Sequence, residues 1–218
     1  AITINQPIRI TEVDIHAGVK AYQCTGTPVD CVKIAIDKLL PRKPDLMVSG
    51  VNHGSNSSIN VIYSGTMSAA VEASIDGMKA IGFSLCDYSW NANFEVVKPY
   101  IKQIMSSVLA NDLPYGTLLN VNMPVPEVGE IQGIKICRQA QAKWKESFDQ
   151  RKDPFGRDYY WMTGNFINMD HGQDTDEWAL KHGYSTLLVD KKIVAAEGFQ
   201  RLERFKEHDI DVLIAEVK

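Results

Sequence analysis

Residues 46–85, LMVSGVNHGSNSSINVIYSGTMSAAVEASIDGMKAIGFSL, decide the fold of this 218-residue chain. The stretch begins with the short apolar run Leu46–Val48 and ends with a second apolar run, Ala80–Leu85. Between them, residues 64–75 are rich in alanine and other small residues, and Gly77 supplies a natural helix stop. Short apolar runs of this kind are typical of buried parallel strands. The stretch therefore predicts a strand–helix–strand unit, and the fold class is α/β.

The segment before this unit predicts a clear helix start. Thr27 has the position of an N-cap, Pro28 that of the first helical residue and Asp30 that of the third-position acid. We expect a helix to run from there until Pro41 and Pro44 end it.

The rest of the chain is interpreted from the same patterns. Residues 2–10 alternate like a strand. Further helices are predicted near 95–109, 177–181 and 195–205, and further strands near 117–121, 134–137, 159–162, 184–189 and 212–215. We therefore divide the chain into a layered core at 1–125 and, at 126–218, a β-rich arm with elements that close the same domain.

Composition and charge exclude several classes of protein. The net charge of −4 argues against a surface that binds nucleic-acid polymers. The basic residues within 143–157 alternate with acidic ones, so this segment is interpreted as a solvated, mobile loop. No apolar run approaches the ~20 residues that span a membrane, and no signal peptide is evident. We expect a cytoplasmic protein without a membrane partner, and its four cysteines, which form no CxxC pair, to be reduced thiols.

The first candidate site follows the predicted strand at 46–48. In open α/β sheets, ligands bind outside the carboxyl ends of the strands, and the segment 49–54, SGVNHG, lies there. The amide oxygen of Asn52 is a hard, neutral ligand suited to Mg²⁺ or Mn²⁺. His53 could protonate a leaving oxygen or orient a water. The structural alternatives are a turn-forming asparagine and a histidine that satisfies backbone groups.

The second candidate site is the helix start Tyr63-Ser64-Gly65-Thr66. Two hydroxyls, a glycine and the free N–H groups of a helix N-terminus can bind an anion, although an ordinary N-cap is the equal alternative. Because no Lys or Arg lies between Asp45 and Met78, a bound phosphate would depend on those N–H groups and on a metal cation. This indicates a metallophosphatase. A nicotinamide dehydrogenase would need a GxGxxG turn, which the sequence lacks.

Three motifs of the chain resemble those of the survival protein SurE family. Residues 26–33, GTPVDCVK, resemble its GTPxDCVK helix start. Residues 49–56, SGVNHGSN, resemble its SGxNxGxN loop, and residues 63–72, YSGTMSAAVE, resemble its YSGTxxAAxE segment. Their order and spacing are highly specific, and weaker similarity continues over nearly the whole chain.

The resemblance implies a Rossmann-like three-layer α/β/α sandwich with a C-terminal β-rich arm that is exchanged in a dimer. It also implies a homodimeric or homotetrameric enzyme that hydrolyses nucleoside 5′-monophosphates with a divalent metal, Mg²⁺ or Mn²⁺. Nucleoside 3′-monophosphates and short polyphosphate are further substrates that it implies. The residues concerned are Asn52 for the metal, Asn56, Ser64, Gly65 and Thr66 for substrate and phosphate, and His53 as the catalytic candidate.

The family also has acidic metal ligands in an Asp-Asp-Gly element, and a later serine ligand, that no part of this chain matches. We expect these ligands and the first strand in sequence that precedes Ala1. If the chain truly begins at Ala1, the alternative is a non-catalytic module that binds nucleotide or phosphate or serves in assembly. Residues 185–196 depart from the family's SITPL pattern, which leaves the geometry of the arm open.

Overall fold

A computed structural model describes residues 2–111, 113–125 and 130–191 of the chain. Its strands are β1 Ile10–Val13, β2 Ala21–Cys24, β3 Met47–His53, β4 Ala80–Leu85, β5 Thr117–Met123, β6 Ile134–Ile136, β7 Ala142–Lys152, β8 Asp158–Asn168 and β9 Ser185–Lys191. Its α-helices are α1 Pro28–Ile34, α2 Gly65–Ile75, α3 Lys98–Ala110 and α4 Asp176–Lys181. A π-helical turn at Ala35–Leu39 extends α1, and 3₁₀ turns occupy Ser58–Tyr63 and Phe94–Val97.

Within the part of the chain that the structure describes, the central sheet contains five strands in the order β3-β4-β5-β9-β6. Strands β3, β4 and β5 are parallel, β9 runs antiparallel to β5, and β6 runs parallel to β9. Two antiparallel pairs, β1–β2 and β7–β8, stand apart from this sheet. The carboxyl ends of β3, β4 and β5 therefore meet at one edge, where the predicted α/β class expects a ligand site.

Helices cover both faces of the sheet. Each strand contributes side chains to both faces, because successive residues of a strand point to opposite sides. On one face, β4 and β5 pack against α3, and the main members of this cluster are Ile81, Phe83, Leu119, Val121, Ile104 and Val108. On the other face, the same strands pack against α2, and the main members are Met67, Ala70, Ala73, Ala80 and Leu118. The three-layer α/β/α sandwich that the resemblance implied is confirmed.

The predicted helix starts are confirmed in atomic detail. The Thr27 side chain accepts from the backbone N–H of Asp30, and the Asp30 side chain accepts from the backbone N–H of Thr27, which forms a capping box. Pro28 is the first residue of α1. In α2, Ser64 is the N-cap and the helix ends two residues before Gly77, as the pattern predicted.

The prediction of a loop at 143–157 was wrong. Strands β7 and β8 form a hairpin that is paired without a break from Ala142 and Asn168 to Lys152 and Asp158. Both faces of the hairpin are largely exposed, so its sequence lacks the apolar–polar alternation by which a half-buried strand is recognised. The charge-rich strand β7 therefore has the composition of a loop.

Two predicted strand boundaries were also wrong. Strand β1 begins only at Ile10, because Thr3 of the preceding segment bonds to the carboxyl of Asp30 instead of joining a sheet. Strand β3 does not end at Val48, as predicted, but continues to His53. The predicted helix at 195–205 and strand at 212–215 lie outside the described residues. The division of the chain at residue 125 stays a prediction, although β6 and β9 join the central sheet.

Candidate functional site

A row of polar residues crosses the carboxyl end of the central sheet. Asn52 of β3 is aligned with Ser84 of β4, Ser84 with Asn122 of β5, and Asn122 with Thr186 of β9. Ser84, Asn122 and Thr186 are fully buried. Sequence reasoning missed them, although polar residues at alternate positions of an apolar strand, as in TLLNVNM at 117–123, were an available signal.

The side chain of Asn52 is fixed by the loop that follows β3. Its Nδ2 donates to the carbonyl oxygen of Gly54 at 2.9 Å and to Oδ1 of Asn56 at 3.4 Å. With the amide nitrogen committed to these two bonds, Oδ1 is the atom of this side chain that remains to bind a ligand. Asn52 therefore combines a turn-stabilising role with a free oxygen at the sheet edge.

Gly50 permits the close approach of β3 to β4 just before Asn52. Its φ is +112°, a conformation that residues with side chains rarely adopt. A Cβ at this position would lie 2.3 Å from the carbonyl oxygen of Phe83. Only glycine fits there, so the local sequence fixes the position of Asn52 relative to β4.

Asn56 lies beneath the loop rather than on its surface. It is 2% exposed, and its backbone N–H donates to Oδ1 of Asn122 at 2.7 Å. Its Nδ2 donates to the hydroxyl of Ser84, and its carbonyl oxygen accepts from Nδ2 of Asn120 at 3.1 Å. These bonds anchor the loop to β4 and β5. A substrate contact of Asn56 stays a prediction.

His53 points toward the loop between β4 and α3. Its Nε2 lies 2.6 Å from the carbonyl oxygen of Ser89, to which an Nε2–H donates, and its ring lies 6.1 Å from that of Phe94. This is the structural role that the sequence left open for a loop histidine. A catalytic role for His53 stays a prediction.

The start of α2 has the geometry of a capped helix. The hydroxyl of Ser64 accepts from the backbone N–H of Met67 at 3.0 Å. The backbone N–H groups of Gly65 and Thr66 belong to the first turn, where an α-helix offers them no carbonyl partner four residues earlier. A Cβ on Gly65 would lie 3.1 Å from Cγ of Pro28, so glycine lets α2 begin close to the start of α1.

Two acidic residues at the start of α4, Asp176 and Glu177, border the loop that follows β3. Neither was predicted as a site residue. The carboxyl of Asp176 is fully buried and accepts from the backbone N–H groups of Ser58, Ala140 and Glu177 at 2.7–2.9 Å. Burial raises the pKa of Asp176, and these three bonds oppose that shift. Burial likewise raises the pKa of Glu177, whose Oε1 accepts from the Ser57 hydroxyl at 2.5 Å.

A cavity of about 480 Å³ lies between this loop and the base of the β7–β8 hairpin. We call it the hairpin-base cavity, and the residues that characterise its lining are Ser55, Asn60, Tyr88, Trp144, Phe166 and Glu177. Cavities that bind small molecules commonly measure about 300–1,000 Å³. Its size therefore suits a small organic ligand.

The described residues contain no group of three or more His, Cys, Asp or Glu side chains that could hold a metal ion. The four cysteines form no disulfide in the described structure, and their redox state stays a prediction. Of the helices that the structure describes, none is long and apolar enough to cross a membrane.

Comparisons with known proteins agree on one family. A family model described as "Survival protein SurE" matches residues 1–146. The 5′-nucleotidase SurE of Flavobacterium psychrophilum is 58% identical over 207 residues, which are 94% of this chain and 80% of that protein. The 5′-nucleotidase SurE of Christiangramia forsetii is 60% identical over 190 residues, which are 86% of this chain and 73% of that protein. A crystal structure of the SurE protein from Aquifex aeolicus is 32% identical, has a TM-score of 0.75, and matches 95% of this chain and 82% of that one.

Proposed function

The chain belongs to the survival protein SurE family, and we propose that it is a phosphomonoesterase that hydrolyses nucleoside 5′-monophosphates to nucleoside and phosphate with the help of a divalent cation. The relatives named 5′-nucleotidase SurE support the reaction. Nucleoside 3′-monophosphates and short polyphosphate are proposed as further substrates.

The observation that carries this proposal is the position of Asn52. Its amide nitrogen is tied to Gly54 and Asn56, which leaves Oδ1 as a preoriented acceptor at the carboxyl end of β3. An amide oxygen is a suitable ligand for Mg²⁺ or Mn²⁺. An oxygen held in this way loses little freedom when it binds a cation.

The described residues fit a divalent cation only in part. They offer the oxygen of Asn52 but no cluster of carboxylates or histidines around it. The acidic ligands that the family resemblance implies before Ala1 stay a prediction. A bound cation would neutralise phosphoryl charge and lower the pKa of a coordinated water.

We propose that the start of α2 binds the phosphate. The first-turn N–H groups of Gly65 and Thr66 lie at the positive end of the helix dipole, and the Thr66 hydroxyl can add a further donor. The Ser64 hydroxyl already accepts from Met67 and so stabilises this helix start. No lysine or arginine lies within residues 46–77, so the donors that this segment offers the anion are neutral groups such as the N–H groups of Gly65 and Thr66.

We propose that β7–β8 is an arm that packs on a second copy of the chain, in a homodimer or homotetramer. Among the described residues, its two strands have no neighbouring strand on either outer edge, and isolated two-stranded hairpins are marginal in water. Cytoplasmic location stays a prediction.

The proposed reaction is tested on full-length protein with adenosine 5′-monophosphate. Activity should require added Mg²⁺ or Mn²⁺ and be abolished by excess EDTA. The variant Asn52→Ala should lower kcat/KM about 100-fold or more, because the loss of an outer-shell group at a metal site alone costs about 10–100-fold. Asn165→Ala, on an exposed position of β8, is the matched control and should leave kcat/KM unchanged.

Two results would count against this proposal. Full turnover by Asn52→Ala would remove Asn52 from the mechanism, and full activity in excess EDTA would remove the metal. Tight binding of the nucleotide without any turnover in the full-length protein would favour the alternative of a non-catalytic binding module.

A further inference from the structure

The hairpin-base cavity is a feature of the described structure that Asn52 and the start of α2 do not explain. We propose that it binds the nucleoside part of the substrate, the base with its ribose, while the phosphate lies at Asn52 and the start of α2. This inference rests on the proposed function, because it assigns a second subsite to the same substrate.

Hydrogen bonds hold Trp144 and Tyr88 of the cavity in place. Nε1–H of Trp144 donates to Oδ1 of Asn60 at 2.8 Å, and its ring meets that of Phe166 edge-to-face at 5.5 Å. The hydroxyl of Tyr88 accepts from the backbone N–H of Ser55 at 3.2 Å. Fixed aromatic rings at a cavity wall are the side chains on which nucleobases stack in proteins.

Tyr88 is further fixed by the glycine that precedes Ser55. A Cβ on Gly54 would lie 2.5 Å from Cε1 of Tyr88, so the ring rests directly on the loop backbone. The same loop therefore positions the Asn52 oxygen and one aromatic wall of the cavity.

The charges of the cavity decide which part of a nucleotide it can accept. None of its lining residues in the described part of the chain is Lys, Arg or His, whereas Glu177 contributes a carboxyl group. A phosphate dianion would be repelled there, but an uncharged nucleoside would not. The hydroxyls of a ribose can donate to Glu177, whose carboxyl retains acceptor capacity beyond its bond from Ser57.

The position of the cavity matches the order of groups in the substrate. Ser55 lines the cavity and lies three residues after Asn52, and the bond from Asn52 to Gly54 keeps this segment compact. A nucleoside 5′-monophosphate has its base and phosphate on opposite sides of the ribose. It can therefore place the phosphate at Asn52 and extend its base toward Trp144.

The test measures the binding of adenosine, which lacks the phosphate, to full-length protein by titration calorimetry. Trp144→Leu should raise the Kd for adenosine about tenfold, a loss in the range expected for one base–aromatic stack. Trp144→Phe, which keeps a ring but loses the donor to Asn60, should keep the Kd within about threefold of wild type. Trp90→Leu is the matched control, because Trp90 is fully exposed and does not line the cavity, and its Kd should not change.

A second cavity variant and a steady-state assay separate a lost nucleoside contact from a general loss of structure. Phe166→Leu should also raise the Kd for adenosine, and circular dichroism should show that each variant is folded. In steady-state assays, Trp144→Leu should raise KM for adenosine 5′-monophosphate and leave inhibition by inorganic phosphate unchanged.

Adenosine binding that is absent in wild type, or that is equally strong in folded Trp144→Leu and Phe166→Leu, would overturn the subsite. Because calorimetry needs no turnover, these results are independent of whether the protein hydrolyses nucleotides. The proposed function fails separately, if wild type binds adenosine but releases no phosphate from the nucleotide.

Discussion

At the scale of single residues, the site depends on buried polar groups that satisfy one another. Asn122 accepts from the backbone of Asn56 and donates to Oδ1 of Asn120 at 3.0 Å, while Asn120 donates to the carbonyl oxygen of Asn56. All three residues are at most 2% exposed. Since a buried polar group without a partner is costly, this closed set of bonds fixes the loop that follows Asn52 and β3.

The buried carboxyl of Asp176 holds the loop that follows β3 through its bond from Ser58. Replacing Asp176 tests how much its three bonds stabilise the fold. In Asp176→Asn, an NH₂ group must face one of three backbone N–H donors, which leaves that donor unpaired. We expect the free energy of unfolding, measured by urea denaturation, to fall by about 3 kcal/mol.

Asp37→Asn is the control for this substitution, because its carboxyl lies on the exposed π-helical turn after α1. It should change the free energy of unfolding by less than about 0.5 kcal/mol. Equal stability of the Asp176 and Asp37 variants would mean that the bonds to Ser58, Ala140 and Glu177 do not stabilise the fold.

At the scale of elements, α1 shows how one side chain can serve both a local and a distant segment. Asp30 completes the capping box with Thr27 and also accepts from the backbone N–H and the hydroxyl of Thr3 at 3.0 and 2.6 Å. The bonds from Thr3 and from Thr27 hold the pKa of Asp30 well below its usual range. The helix start and the segment before β1 are thus joined through one carboxylate.

The lowered pKa of Asp30 predicts that the stability of the fold depends on pH. Because the pKa of Asp30 is lower in the folded chain, its stabilisation is present above about pH 4 and is lost as the pH falls toward the folded pKa. The difference in unfolding free energy between wild type and Asp30→Asn should therefore be larger at pH 6 than at pH 3. Urea denaturation at both values measures it.

Asp14→Asn, at an exposed position between β1 and β2, is the control for the pH experiment. Its profile from pH 6 to pH 3 should follow that of wild type. A difference between wild type and Asp30→Asn that stays constant or grows toward pH 3 would contradict the role assigned to the charged form of Asp30.

At the scale of the whole molecule, the β7–β8 hairpin receives little support from the rest of the described chain beyond its base. Its base is held by contacts such as that of Trp144 with Asn60, but beyond the base its side chains are exposed on both faces. Phe148 and Met162, which face each other across the two strands, are 64% and 69% exposed. Exposed apolar pairs of this kind favour contact with another protein surface.

We expect the oligomeric state to change when Phe148 and Met162, the exposed apolar pair of the hairpin, are replaced. Phe148→Ser combined with Met162→Ser should lower the mass measured by light scattering from that of the wild-type oligomer toward that of one chain. The control replaces Ile4 and Ile15, which are similarly exposed but lie outside the hairpin, by serine and should keep the oligomer. A monomeric wild type, or an unchanged mass in the hairpin variant, would contradict the proposed arm.

Much of the core fold could be predicted because its signals are local. Thr27 and Pro28 mark the start of α1, and Ser64 and Gly77 mark the start and end of α2. An apolar run whose six residues are all buried predicts β4. Of the hairpin, only a strand at 159–162 was predicted, since neither face of the hairpin is buried and β7 carries charges along its length.

The candidate site could be predicted only where a motif marks it. Asn52 and the Ser64–Thr66 helix start were found from short segments and from a family resemblance. Ser84, Asn122 and Asp176 were not, because their role depends on contacts with residues 28–118 positions away along the chain.

The sequence by itself determined the α/β class, the starts of α1 and α2, the family of the chain and the candidate metal ligand, because caps, glycines and apolar runs act within a few residues. Only the tertiary structure decided how the carboxyl ends of the strands form a buried polar row, which wall the hairpin adds to a cavity and where Asn56 and His53 find their partners. These depend on strand register and on contacts between distant segments, and neither is encoded in any short stretch of the chain.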